Sequence, residues 1–222
     1  MRTLFSFISI ICCMMGLSQN KTVRYISLGD SYTIGTGAKE EEAWPVLLTR
    51  HLNEKKIVTE LVANPSRNGF STQNLIDLEL PVFDKSDAGF VTILIGVNDW
   101  VRGVDVKTYF KNLDFILNHL QEKLPDKKNI LLVTIPDFGV TPEGSSYSRG
   151  RDISKGITEF NDIIKEEAKK RGLVCVDIFE LSKKMKADLS LVAADGLHPS
   201  AKEYAEWEKL ILPAVVKLLS SN

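Results

Sequence analysis

The chain has 222 residues, 44% of them hydrophobic and 26% charged, with a formal net charge of -1. That is an ordinary soluble balance, with length for one domain and a substantial core. It excludes nucleic acid as a partner, because a phosphate-binding surface needs concentrated positive charge, and the Lys and Arg runs here alternate with acids.

Residues 1–18 stand apart. Arg2 supplies a positive start, 4–15 form an apolar stretch, and Gly16-Leu17-Ser18 offers the small residues a signal peptidase reads. The stretch is short for a membrane span, so the reading is a secretory signal peptide removed before Gln19. A single domain over 19–222, secreted or periplasmic and without a transmembrane segment after processing, is the resulting expectation. Cys12 and Cys13 raise lipoprotein anchoring as an alternative, against which Ile11 is bulky where a small residue belongs. A buried N-terminal strand or helix is the bland alternative. Processing leaves only Cys175, so no internal disulfide is expected, and its Val-Cys-Val setting reads as a buried small hydrophobe. No metal-ligand cluster is visible, and neither metal nor cofactor is expected.

The remaining chain alternates strands and helices. Apolar, Val- and Ile-rich runs at 23–28, 57–63, 91–95, 130–135 and 173–176 predict parallel strands covered on both faces. Helical spacing predicts a helix over 43–53 facing inward through Trp44, Leu47, Leu48 and His51. A second, over 105–124, carries Phe110, Leu113, Ile116, Leu117 and Leu120. A third, over 154–170, carries Ile157, Phe160, Ile163 and Ile164, and stops at Gly172. Ser71 caps a helix through Leu75, Ile76 and Leu78 that Pro81 ends or breaks. The last helix starts near 199–202 and runs to Leu219, with an interruption at Pro213. The fold class is α/β: a three-layer α/β/α domain on a five-stranded parallel sheet. The irregular segment 136–150 borders the cleft, as loops after strands of such sheets do.

Ser31 follows the first strand across Gly29, which puts its hydroxyl at the carboxyl edge of the sheet near the start of a helix or turn. Alone, Gly-Asp-Ser reads more often as a turn or cap. His198, one of only three histidines, shifts that balance. A neutral imidazole takes a serine proton and returns it to a leaving group. Asp195 sits three residues earlier, so a turn over Gly196 and Leu197 brings its carboxylate to the second ring nitrogen and selects the tautomer. The bland reading makes both residues surface caps of the final helix. Asn98, beyond the central strand, has an amide to offer an oxyanion. Gly69, beyond the second strand, has a backbone N–H that approaches a carbonyl closely. Taken separately, each is equally well an ordinary turn residue.

The ordered set Gly29-Asp30-Ser31-Tyr32, Gly69, Gly96-Val97-Asn98-Asp99 and Asp195-Gly196-Leu197-His198 resembles the four signature blocks of the SGNH, or GDSL-type, serine hydrolases. The resemblance covers the chain from Val23 to Leu219. It implies a flavodoxin-like fold with strand order 2-1-3-4-5. It assigns Ser31 as nucleophile, Asp195 and His198 as its triad partners, and Ser31, Gly69 and Asn98 as the oxyanion hole. Tyr32 replaces the leucine of the name-giving motif, and the second block lacks a second nearby glycine. Asp30 and Asp99 read as structural. Tyr32, Arg67, Trp100 and Arg102 are candidate pocket residues, with a surface salt bridge an equal reading for the two arginines.

The expected function is a serine esterase or acylhydrolase cleaving carboxylic esters through an acyl-serine. A chain of this length has little room for a lid, which favours small or medium acyl ester substrates. Alternatives are a secreted carbohydrate O-acetyl esterase acting on an acetylated sugar, a lysophospholipase or thioesterase, and a noncatalytic binding module on a hydrolase scaffold.

Overall fold

In the computed structural model, which describes residues 22–220, the apolar runs form strands β1 (Val23–Gly29), β2 (Thr59–Ala63), β3 (Phe90–Leu94), β4 (Ile130–Val133) and β5 (Val174–Val176). All pair in parallel, in the order β2-β1-β3-β4-β5. The expected leader and its cleavage before Gln19 lie outside the described residues. Strand β3 is buried along its whole length, as a central strand covered on both faces must be. Burying each of its large apolar side chains contributes about 1.5–3 kcal/mol. Strand β2 begins two residues later than the apolar run, because Ile57 N–H turns back to the Leu52 carbonyl.

The connecting helices are α1 (Ser31–Ile34), α2 (Trp44–Glu54), α3 (Thr72–Asn74), α4 (Leu80–Phe83), α5 (Val97–Arg102), α6 (Val106–Lys123), α7 (Ile153–Arg171), α8 (Phe179–Ser182) and α9 (Ala201–Ser220). Helices α2 and α9 pack together on one side of the sheet, α6 and α7 together on the other. Gly172 closes α7 in the left-handed conformation, with φ 66°.

Three details depart from the sequence pattern. On α6 the inward aromatic is Tyr109, whose hydroxyl donates to the Ile95 carbonyl at 3.1 Å and whose ring stacks on Phe160; Phe110 is 38% exposed. Helix α9 runs through Pro213 without interruption, because the proline lies on the exposed face, where the carbonyl it cannot serve stays open to water. Pro81 does not end its helix either. A π turn over Leu75–Glu79 joins α3 to α4, and Pro81 sits in the first turn of α4, where an N–H is not needed. Leu78 on that turn faces solvent.

Candidate active site

Strand β1 ends at Gly29, where the backbone has no room for a side chain: a Cβ there would lie 2.2 Å from both the Leu94 carbonyl oxygen and Thr33 Oγ1. Asp30 then caps α1, its Oδ1 accepting the Tyr32 N–H at 3.0 Å. Ser31 is the first residue of α1, so its own N–H has no intrahelical acceptor. The serine is 6% exposed.

Asp195 and His198 meet as their spacing predicts. Asp195 Oδ2 lies 2.6 Å from His198 Nδ1, while Oδ1 accepts the backbone N–H groups of Leu197 and His198, each at 2.9 Å. Partial burial works to raise the Asp195 pKa, but the bonds from Leu197 and His198 outweigh it and hold the carboxyl below its ordinary range. Gly196 supplies the positive φ of the turn, 72°. Pro199 is extended rather than helical, bridging antiparallel to Val192, and Ala193 N–H donates to the His198 carbonyl at 2.8 Å. Segment 136–150 forms two short 3-10 turns and braces this loop: Glu143 N–H donates to the Gly196 carbonyl at 2.9 Å.

The serine and histidine segments touch through their neighbours. The Tyr32 ring meets the His198 imidazole edge-on at 5.8 Å and Trp207 at 5.9 Å. Beyond α1, a Cβ on Gly37 would lie 2.6 Å from the Pro199 carbonyl oxygen. The Thr36 carbonyl accepts the Tyr204 hydroxyl at 2.8 Å, and the Thr36 hydroxyl donates to Asn68 Oδ1.

Asn98 and Gly69 are fixed against each other. Asn98 Nδ2 donates to the Phe70 carbonyl at 2.9 Å, which orients the amide and leaves its second hydrogen for another acceptor. Arg102 donates to the Gly69 carbonyl at 2.7 Å and to Asn74 Oδ1 at 3.3 Å. Asp99, buried, accepts the Thr72 N–H at 2.8 Å and the Thr72 hydroxyl. Burial raises the Asp99 pKa, with the Thr72 bonds opposing. Gly69 holds a positive φ of 80°, so the unusual second block still makes a defined turn.

The candidate pocket residues differ in burial and partners. Tyr32 is 3% and Trp100 5% exposed, close to the 6% of Ser31. Trp100 is covered by the Arg151 guanidinium, 3.9 Å above its ring, and by Phe138. Among the described residues Arg102 makes no salt bridge; its guanidinium binds the Gly69 carbonyl and Asn74 Oδ1 instead. Arg67 is exposed and donates to the Ser66 carbonyl at 2.9 Å. Cys175 lies in β5, where burial pushes its thiol up to about 12 and leaves it unreactive. Sequence reasoning missed Glu79, fully buried, whose Oε2 accepts the Gly29 N–H at 2.9 Å. Among the described residues no helix is long and apolar enough to cross a membrane.

Comparison with known proteins agrees with this architecture. Residues 27–205 match the model of the GDSL-like lipase/acylhydrolase family. A multidomain esterase of Ruminococcus flavefaciens is 29% identical over 141 residues, covering 62% of this chain but only 17% of that protein. The fold is shared with the psychrotrophic esterase EstA from a Pseudoalteromonas species, a structure inhibited by monoethylphosphonate. That likeness has a TM-score of 0.66 and 22% identity, covering 90% of this chain and 98% of the other. An acetylxylan esterase from Geobacillus stearothermophilus superposes with a TM-score of 0.67 and 15% identity, covering 88% and 93%. The chain belongs to the GDSL-like lipase/acylhydrolase family, and the class of chemistry that goes with it is carboxylic-ester hydrolysis.

Proposed function

We propose that this chain hydrolyses esters of small or medium acyl groups through an acyl-serine on Ser31. The observation that carries the reading is the Asp195 carboxylate, which holds the His198 ring at Nδ1 and leaves Nε2 to exchange a proton. Ser31 Oγ attacks the ester carbonyl carbon and passes its proton to His198 Nε2. The oxyanion lies among the Ser31 N–H, the Gly69 N–H and the free hydrogen of Asn98 Nδ2. When the C–O bond breaks, His198 returns the proton to the departing alcohol. Water then attacks the acyl-serine, His198 takes its proton, and the acid leaves as Ser31 regains its hydrogen.

A second reading, removal of acetyl groups from a carbohydrate, is favoured by the likeness to an acetylxylan esterase across 88% of the chain. Rates on acetyl, butyryl and longer acyl esters, measured beside acetylated xylan and a lysophospholipid, separate the readings. The first predicts kcat/KM falling beyond butyryl; a maximum at long chains would exclude it. Export follows from residues 1–18, and N-terminal sequencing of the mature protein, expected to begin at Gln19, tests it.

A further inference from the structure

Gly29 lies on β1, between β2 and β3, yet its N–H is taken by a side chain from outside the sheet, Glu79 at the end of the π turn. The Glu79 side chain is fully buried, and its second oxygen, Oε1, has no hydrogen-bond partner. One residue after Gly29, Asp30 has the same character: fully buried, Oδ1 on the Tyr32 N–H, Oδ2 without a partner. Two buried carboxyls thus grip the turn that delivers Ser31 on either side of it, at the Gly29 N–H and the Tyr32 N–H, each with one oxygen unanswered. Buried polar atoms are rarely left so, and two neighbouring carboxylates do not both stay ionised away from water.

We propose that Glu79 is a positioning residue for Ser31: it fixes the β1–α1 turn through the Gly29 N–H and shares one proton with Asp30, joining the two orphaned oxygens. This rests on Ser31 being the nucleophile. Burial raises both carboxyls, Asp30 to about 8 and Glu79 well above its ordinary range, and the Asp30 charge pushes Glu79 further, against the Gly29 N–H and the exposed Arg67, which favour the ionised form. A turn held from beneath in this way sets where Ser31 Oγ stands relative to Asn98 and the Gly69 N–H, and small displacements there are costly in rate.

The test compares variants of the full chain, with labelling of wild-type Ser31 by a fluorophosphonate as reference. Glu79→Gln keeps an acceptor for Gly29 and a donor for Asp30, and is expected to hold kcat and labelling rate within about threefold of wild type. Glu79→Met has similar length but neither partner, and is expected to lower both rates at least about tenfold with KM unchanged. Circular dichroism verifies the fold. Should the Met variant not fold, Glu79→Asp, with its acceptor drawn back by one methylene, is held to the same loss. Unchanged rates in the folded Met or Asp variant, or a Gln variant as impaired as the Met variant, overturn the proposal and leave Ser31 in its role. Absence of labelling at wild-type Ser31 removes the nucleophile and the proposal with it.

Discussion

Asn98 Nδ2 lies 2.9 Å from the carbonyl oxygen of Phe70, the residue that follows Gly69. The two oxyanion donors proposed for this site are therefore parts of one hydrogen-bonded unit, built between the start of α5 and the turn after β2. Replacing Asn98 with Ala removes a donor and loosens that turn. The expected loss is about 10²–10³ in kcat, roughly 3–4 kcal/mol of transition-state stabilisation, with little change in KM. Steady-state kinetics on a short acyl ester check it; a raised KM at unchanged kcat would mean Asn98 only binds substrate.

Arg102 acts on the same turn from the other side, through the Gly69 carbonyl. Arg102→Ala is expected to lower kcat about threefold to tenfold for neutral and anionic esters alike, because it frees a backbone segment rather than a substrate contact. Measuring both substrate types decides the matter. A KM rise confined to the anionic ester would show that the guanidinium meets substrate instead.

Stability should decline as the solution becomes more alkaline. Asp30 is pushed by burial from 3.8 to about 8, and Glu203, also desolvated, from 4.5 to about 7. Between the ordinary carboxyl range and about pH 8, the folded chain keeps protons that the unfolded chain releases, so rising pH favours unfolding; above that range these groups add no further slope. The expected observation is a melting temperature that falls from about pH 5 to about pH 8, with a shallower fall in Asp30→Asn, which retains a cap at α1. An identical slope in that variant would show that Asp30 does not carry the proton.

The sheet was legible because parallel strands buried on both faces leave continuous Val- and Ile-rich runs, and β3 shows this along its length. Asp195 and His198 were legible because their bond is local, closed by one turn over Gly196. Contacts between distant segments leave no such pattern. Arg102 finding the Gly69 carbonyl, and Glu79 finding the Gly29 N–H, depend on how α5 and the π turn stack against β1. The one trace of Glu79 was its position four residues after Leu75, an acid on the buried phase of a helical pattern. Phe110 misled for a related reason. It and Tyr109 fit the stripe of α6 comparably, and the Tyr109 hydroxyl's partner, the Ile95 carbonyl, is invisible to periodicity.

The central claim is that His198, steadied by Asp195, activates Ser31. Mass-spectrometric mapping of a fluorophosphonate on the purified chain tests it most directly. The account predicts one adduct per chain, on Ser31, formed about 10³-fold or more slower in His198→Ala. An adduct on any other residue, or one forming on Ser31 as fast without the imidazole, would contradict it.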